Sequence, residues 1–320
     1  MAPRSCGPGR ELMRILVTGA GGFLGQRLTR HLRAAGHEPV ATTRNREMAA
    51  SGDVHHLADA LDAGAYGRLI AAQDIEAVVN LVAAGVDPSD RDIPRLVRAN
   101  SSFPAELAVA AKAAGVRSFV HAGSSAEYAP AVRASGMRED DAPTRDKIYG
   151  ATKAAGSLLL EATAREIGLR CAIVRLFNIF GPGEKSYRLF PSLVDRLSRG
   201  EEVALSAGTQ MRDFLFVDDA CRAILEVLVA LDAQPGVGGT YNLASGKGLA
   251  VRDFALAIAA EMAADPHLLK FGQLPMRPDD LPYVVADTSR LDDLIGPAAT
   301  TRLADAIAAT LAETKRCEAP

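Results

Sequence analysis

Ile15-Leu16-Val17-Thr18-Gly19-Ala20-Gly21-Gly22-Phe23-Leu24-Gly25 is an apolar run that stops at a glycine-rich turn and restarts as a helical pattern. The run has the character of a buried strand, and from residue 22 to 35 apolar residues recur at helical spacing. Gly19, Gly22 and Gly25 stand on a Gly-x-x-Gly-x-x-Gly spacing. The first glycine permits a tight strand-to-helix turn, the second lets backbone N–H groups approach a pyrophosphate, and the third lets helix and strand pack closely. The diphosphate then sits at a positive helix N-terminus. Glycines alone collect in any tight turn; their place between a first strand and an amphipathic helix makes a dinucleotide the expectation.

Outward from this turn, short apolar runs alternate with Ala/Leu-rich helical patterns to about residue 175. Strands are expected at Arg14–Thr18, Glu38–Thr43, 77–81, 118–122 and 171–176, with a third-strand region at 54–57. Helices are expected near 22–35, 93–114 and 149–167. Strands that read as continuous apolar runs, with helices between them, imply a parallel sheet covered on both faces. The expected fold is α/β, a doubly wound parallel sheet (Rossmann fold). Beyond Gly181-Pro182-Gly183 the pattern loosens, with Pro and Gly between shorter helices at Leu189–Ser198, 218–231, 251–262 and 301–314. This suits a smaller C-terminal α/β lobe for substrate.

Composition narrows the classes. A chain of 320 residues with formal charge −3 and pI near 6.1 has no basic footprint for nucleic acid. No apolar stretch approaches the ~20 residues of a membrane helix. Residues 1–12 hold no apolar signal segment and read as a disordered extension, and Met13 is itself a natural first residue. Cys6, Cys171, Cys221 and Cys317 show neither close pairing nor metal spacing and read as reduced thiols of a cytoplasmic protein. His55-His56 lacks any metal-ligand context, so no metal is expected.

The end of the second strand chooses the cofactor. An acidic residue there bonds the adenosine ribose and repels a 2′-phosphate. Here the strand ends Thr42-Thr43-Arg44-Asn45-Arg46, without a carboxylate, and Arg44 with Thr43 can hold that phosphate. NADP(H) is favoured, with NAD(H) as the alternative. Asp59, after the third-strand region, can accept from the adenine amino group or stand as an ordinary loop acid.

Tyr149 and Lys153, in Ile148-Tyr149-Gly150-Ala151-Thr152-Lys153, lie one helical turn apart on one face. A phenol is a weak acid-base group at its ordinary pKa of about 10. A neighbouring ammonium and a cationic nicotinamide favour the phenolate and lower that value. Ser124, in Ala122-Gly123-Ser124-Ser125-Ala126-Glu127, follows the fifth strand, where open α/β sheets bind their ligands. Its hydroxyl can polarise a carbonyl that Tyr149 protonates.

With these parts in this order, the chain resembles the extended short-chain dehydrogenase/reductase family, in its nucleotide-sugar epimerase/dehydratase/reductase branch, over nearly all of residues 14–293. Further segments carry the likeness: Arg175-Leu176-Phe177-Asn178, Arg212-Asp213-Phe214, Tyr241-Asn242-Leu243 and Arg277-Pro278-Asp279-Asp280. The resemblance implies Ser124, Tyr149 and Lys153 as catalytic residues, with Lys153 also on the nicotinamide ribose. It adds Phe23, Leu24 and Ala83 to the cofactor contacts, gives Ser124 and Ser125 to the substrate, and places Asn178, Arg212 and Arg277 at its sugar diphosphate. It implies a dinucleotide domain of 13–180 to which 214–245 returns, a substrate lobe of 181–213 and 246–320, and a homodimer through helices 93–114 and 149–167.

Departures from the branch narrow the activity. In its 4,6-dehydratases an acid or base follows the catalytic hydroxyl one or two places later; Ser125 and Ala126 stand there. Ala126 also replaces the cysteine of the epimerase-reductases, and Glu127 comes one place too late. The expected activity is reduction, by hydride from NADPH, of the C4 keto group of a nucleotide-linked 4-keto-6-deoxy sugar. The alternatives are a 4-epimerase with tightly held NAD and, from another class, a non-catalytic dinucleotide-binding protein. Family likeness supplies the substrate class by association.

Overall fold

Alternation within single strands decides which side chains reach which face. In β1 (Arg14–Thr18), Ile15 and Val17 enter one apolar core and Leu16 enters another on the opposite face. Each such fully buried side chain contributes roughly 1.5–3 kcal/mol. The computed structural model describes residues 12–50, 54–87, 89–130, 136–234, 236–277 and 280–318. Except for Leu12, the expected N-terminal extension lies outside them.

After β1 the first half runs α1 (Phe23–Ala34), β2 (Glu38–Thr43), α2 (Arg46–Ala50), β3 (Val54–His56), α3 (Ala63–Ala72) and β4 (Ala77–Asn80). It continues through α4 (Ile93–Val97), α5 (Phe103–Ala113), β5 (Ser118–Ser124), α6 (Ile148–Glu166) and β6 (Arg170–Leu176). Then come β7 (Asn178–Phe180), α7 (Leu189–Ser198), β8 (Val203–Leu205), β9 (Met211–Phe216), α8 (Val217–Ala233) and β10 (Gly239–Leu243). The chain ends with β11 (Gly248–Ala250), α9 (Val251–Glu261), β12 (Leu269–Phe271), β13 (Tyr283–Val284), α10 (Ser289–Ile295) and α11 (Leu303–Glu318).

Seven strands form one sheet in the order β10-β6-β5-β4-β1-β2-β3, and every neighbouring pair is parallel. The chain is therefore an α/β protein of Rossmann type. Strand order reverses between β1 and β4, the crevice where such sheets receive ligands. A smaller sheet pairs β9 with β7, β11 and β13. Residues 214–216 still belong to that smaller sheet, so the chain re-enters the main one through α8 and β10.

Two local differences from the sequence expectation have physical causes. Residues 93–114 are not one α-helix, because a π-turn at Arg98–Ser102 separates α4 from α5. Pro104 stands at the start of α5; lacking an N–H and crowding the carbonyl four residues back, it favours a wider turn there. Helix α3 carries two glycines that mute its pattern, yet Asp62 caps it through the Ala65 N–H at 2.9 Å. No helix among the described residues is long and apolar enough to cross a membrane.

Candidate active site

The glycine turn is built by close approach. Gly19 has φ +66°, and a Cβ there would come within 3.1 Å of the Leu81 backbone. A Cβ on Gly25 would run into the Gly19 carbonyl and approach Ala20 Cα to 2.7 Å. The Gly22 N–H is bonded to the Gly19 carbonyl at 3.0 Å. No side chain caps α1 and no acid occupies its first turn, so the positive end, with the Phe23 and Leu24 amides, is open to an anion. A Cβ on Gly21 would meet Thr43 Oγ1 at 2.9 Å, which brings the end of β2 against the turn. This cradle, too tight for side chains, fits a dinucleotide's diphosphate and adjoining ribose.

Around it, Arg44 is exposed at the end of β2. Asp59 is also exposed, and its carboxylate accepts from Arg98 at 3.2 Å and the Leu61 N–H at 2.9 Å. Ala83 is half-buried in the loop after β4. The amide of buried Asn100 pins that loop, bonding the N–H and the carbonyl of Ala84 at 2.9 and 3.0 Å. Next in the loop, Gly85 has φ +79°, and a Cβ there would lie 3.1 Å from Tyr149 Cδ2. The loop thus forms the wall behind the tyrosine ring.

Ser124 ends β5, and its Oγ accepts from the Ala126 N–H at 3.1 Å. Burial raises the Tyr149 phenol above its ordinary value, and a hydrogen bond with Ser124 works the other way. The lowering expected from the sequence rests on a bound nicotinamide as well as on a neighbouring ammonium. Lys153 Nζ donates to the Ala122 carbonyl at 2.6 Å. Burial lowers Lys153 itself to about 8. Glu127 is fully buried: Oε1 accepts from the Ser124 N–H and Oε2 from Arg175 Nε, both at 2.8 Å. Its carboxylate is held as a structural clamp. Ser125 lies half-buried in the same turn.

A cavity of about 380 Å³ lies between α7, α9 and the smaller sheet. Asn178, Arg212 and Arg277 line it, so the three residues expected at the sugar diphosphate share one space. Arg277 is exposed, whereas the Arg212 guanidinium is already engaged by Asp280 and by the Met211 and Leu281 carbonyls. Phe214 and Phe254 stack 3.8 Å apart in the wall. Among the described residues, two lining side chains carry buried acceptors without a partner, Glu184 Oε2 and Gln210 Oε1. Burial raises Glu184 to about 7. The sequence reading missed Asn80, Asn100, His121, Glu184 and Gln210. Asn80, polar within the apolar run 77–81, carried the clearest available signal.

Comparison with known proteins bears on this geometry. The family model described as the NAD dependent epimerase/dehydratase family matches residues 15–244. A dTDP-glucose 4,6-dehydratase of Streptomyces griseus is 31% identical, over 93% of this chain and 93% of its own. A UDP-glucose 4-epimerase of Mycolicibacterium smegmatis is 29% identical, over 93% and 97%. A dTDP-4-dehydro-6-deoxy-D-allose reductase of a Streptomyces species is 27% identical, over 88% and 90%. Among solved structures, MoeE5 in complex with UDP-glucuronic acid and NAD matches with a TM-score of 0.81 and 29% identity, covering 95% of this chain and 99% of that one.

Proposed function

We propose that this chain, which belongs to the NAD dependent epimerase/dehydratase family, is a nucleotide-sugar oxidoreductase that reduces a C4 ketone on a nucleotide-linked 4-keto-6-deoxy sugar. The observation that carries this reading is the turn after β5. Ser124 bonds Tyr149 there, Ser125 and Ala126 offer no acid or base, and Glu127 is spent on Arg175 and the Ser124 N–H. A dehydratase needs a further proton carrier at that turn; a ketone reduction does not.

A bound nicotinamide dinucleotide supplies hydride. Ser124 orients the ketone oxygen, and Tyr149 delivers the proton that completes the alcohol. A phenol whose pKa is raised by burial is in its donating form at neutral pH, which suits the reducing direction. Asn178 and Arg277 hold the substrate diphosphate from the cavity wall, and Arg212 joins them by exchanging Asp280 for phosphate oxygens. Gly19, Gly22, Phe23, Leu24 and Gly25 hold the cofactor diphosphate, with Ala83 beside its nicotinamide end and Asp59 toward its adenine. Arg44 with Thr43 supports NADP(H) as the reductant.

A second reading, a 4-epimerase with tightly held NAD, has specific support: one relative is a UDP-glucose 4-epimerase and MoeE5 holds NAD. Mass spectrometry of nucleotides released from the purified protein separates the two. NADP(H), or no nucleotide, accords with the reductase; stoichiometric NAD with a UDP-hexose overturns it. The free thiols Cys171 and Cys221 accord with work in the cytoplasm. Val109, Leu158 and Leu159, exposed on α5 and α6, offer an apolar face to a second copy of the chain.

A further inference from the structure

Beneath the site runs a chain of buried polar side chains that the proposed reaction does not use. Thr18, Asn80 and His121 are each fully buried, and Lys153 is 1% exposed. The Thr18 hydroxyl accepts from the Leu81 N–H at 3.2 Å and donates to Asn80 Oδ1 at 2.6 Å. Asn80 Oδ1 also accepts from the Val82 N–H at 3.2 Å. A backbone N–H can only donate, so the orientation of the Asn80 amide is fixed. Its NH₂ group is therefore what faces His121 Nδ1 at 3.1 Å.

An amide NH₂ can only donate, so His121 Nδ1 accepts and the neutral ring carries its proton on Nε2. That nitrogen lies 3.4 Å from Lys153 Nζ, which also donates to the Ala122 carbonyl. An ammonium has three donors and no lone pair, so it would set donor against donor here. A neutral amine instead accepts a hydrogen bond from the His121 Nε2–H on its lone pair and keeps its own bond to Ala122.

We propose that Asn80 and His121 are positioning residues that disfavour the charged form of Lys153 until a ligand offers it an acceptor. The lysine then holds its proton more tightly on binding. Among the described residues, few charged groups act on Lys153. Glu127, in the turn after β5, favours the ammonium but is neutralised by Arg175 of β6. Tyr149 on α6 is a neutral phenol, and Asn100 and Thr152 carry no charge. The inference holds for a reductase or an epimerase alike, because it concerns a proton and not a substrate.

The test is nitrogen NMR on the full-length, ligand-free protein labelled in histidine and lysine, with signals assigned by His121→Gln and Lys153→Met. The expected result is a neutral His121 protonated on Nε2 from about pH 5 to about pH 8, with Lys153 losing its charge about two units below an ordinary lysine. Asn80→Asp offers an acceptor in place of the donor. It should move the ring proton to Nδ1 and raise the Lys153 transition by at least one unit, a tenfold change. A native His121 with its proton on Nδ1, an imidazolium at neutral pH, or a Lys153 charged up to about pH 10 overturns the proposal, whether or not the Asn80→Asp protein folds.

Discussion

At the scale of single residues, removing one oxygen is the sharpest change. Tyr149→Phe is expected to lower turnover by about 10²–10⁴-fold with little loss of cofactor affinity; near-parental turnover would remove the phenol from the chemistry. Arg44→Ala is expected to weaken NADPH far more than NADH in direct titrations, and equal effects would leave the 2′-phosphate without its partner. Lys153 gives a pH dependence whose sign is fixed. Its pKa falls from 10.5 in the unfolded chain to about 8 in the fold, so between these values the unfolded state binds more protons and stability rises with pH. The melting temperature of Lys153→Met relative to the parent should therefore be most favourable below about pH 8 and lose ground toward pH 10.5. A pH-independent difference would contradict a titrating buried amine. Gly19, Ser124 and Tyr149 could be singled out in the sequence because each sits beside a recognisable strand end. His121 and Asn100 could not, since their partners lie 41 and 16 positions away.

At the scale of elements, helix α6 is fixed in place by a glycine that helix propensity disfavours. A Cβ on Gly156 would overlap the Asn100 carbonyl oxygen. Exchanging glycine for alanine within a helix gains roughly 0.8–1.0 kcal/mol; forcing α6 away from the π-turn costs about 1–3 kcal/mol. The clash is with backbone, which cannot rotate aside, so Gly156→Ala is expected to lower the midpoint of denaturant unfolding. A raised midpoint would mean that α6 and the π-turn separate freely. Apolar periodicity located β1, β2 and α7 to their ends, because each carries an uninterrupted pattern between clear breaks. It could not locate the π-turn, where the helical pattern continues while the hydrogen bonding changes. The short strands β8, β11, β12 and β13 have two or three residues each, too few for any period to register.

At the scale of the whole molecule, alternating strand and helix signals were enough to give the parallel sheet and its ligand crevice. They were not enough to divide the second half, where β9 and β10 serve different sheets although one helix separates them. The exposed apolar side chains of α5 and α6 predict a dimer. Light scattering should give about twice 33.7 kDa, and Leu158→Glu should return one chain's mass without altering the fold; a monomeric parent would contradict the shared face. The central claim is that hydride reaches a sugar C4 while Tyr149 supplies the proton. Its most direct measurement uses NADPH deuterated on the transferred position and a nucleotide-linked 4-keto-6-deoxy sugar. The account predicts one deuterium at C4 of the product for each NADPH consumed, and almost none with Tyr149→Phe. Turnover that leaves NADPH intact, or product without deuterium at C4, would contradict it.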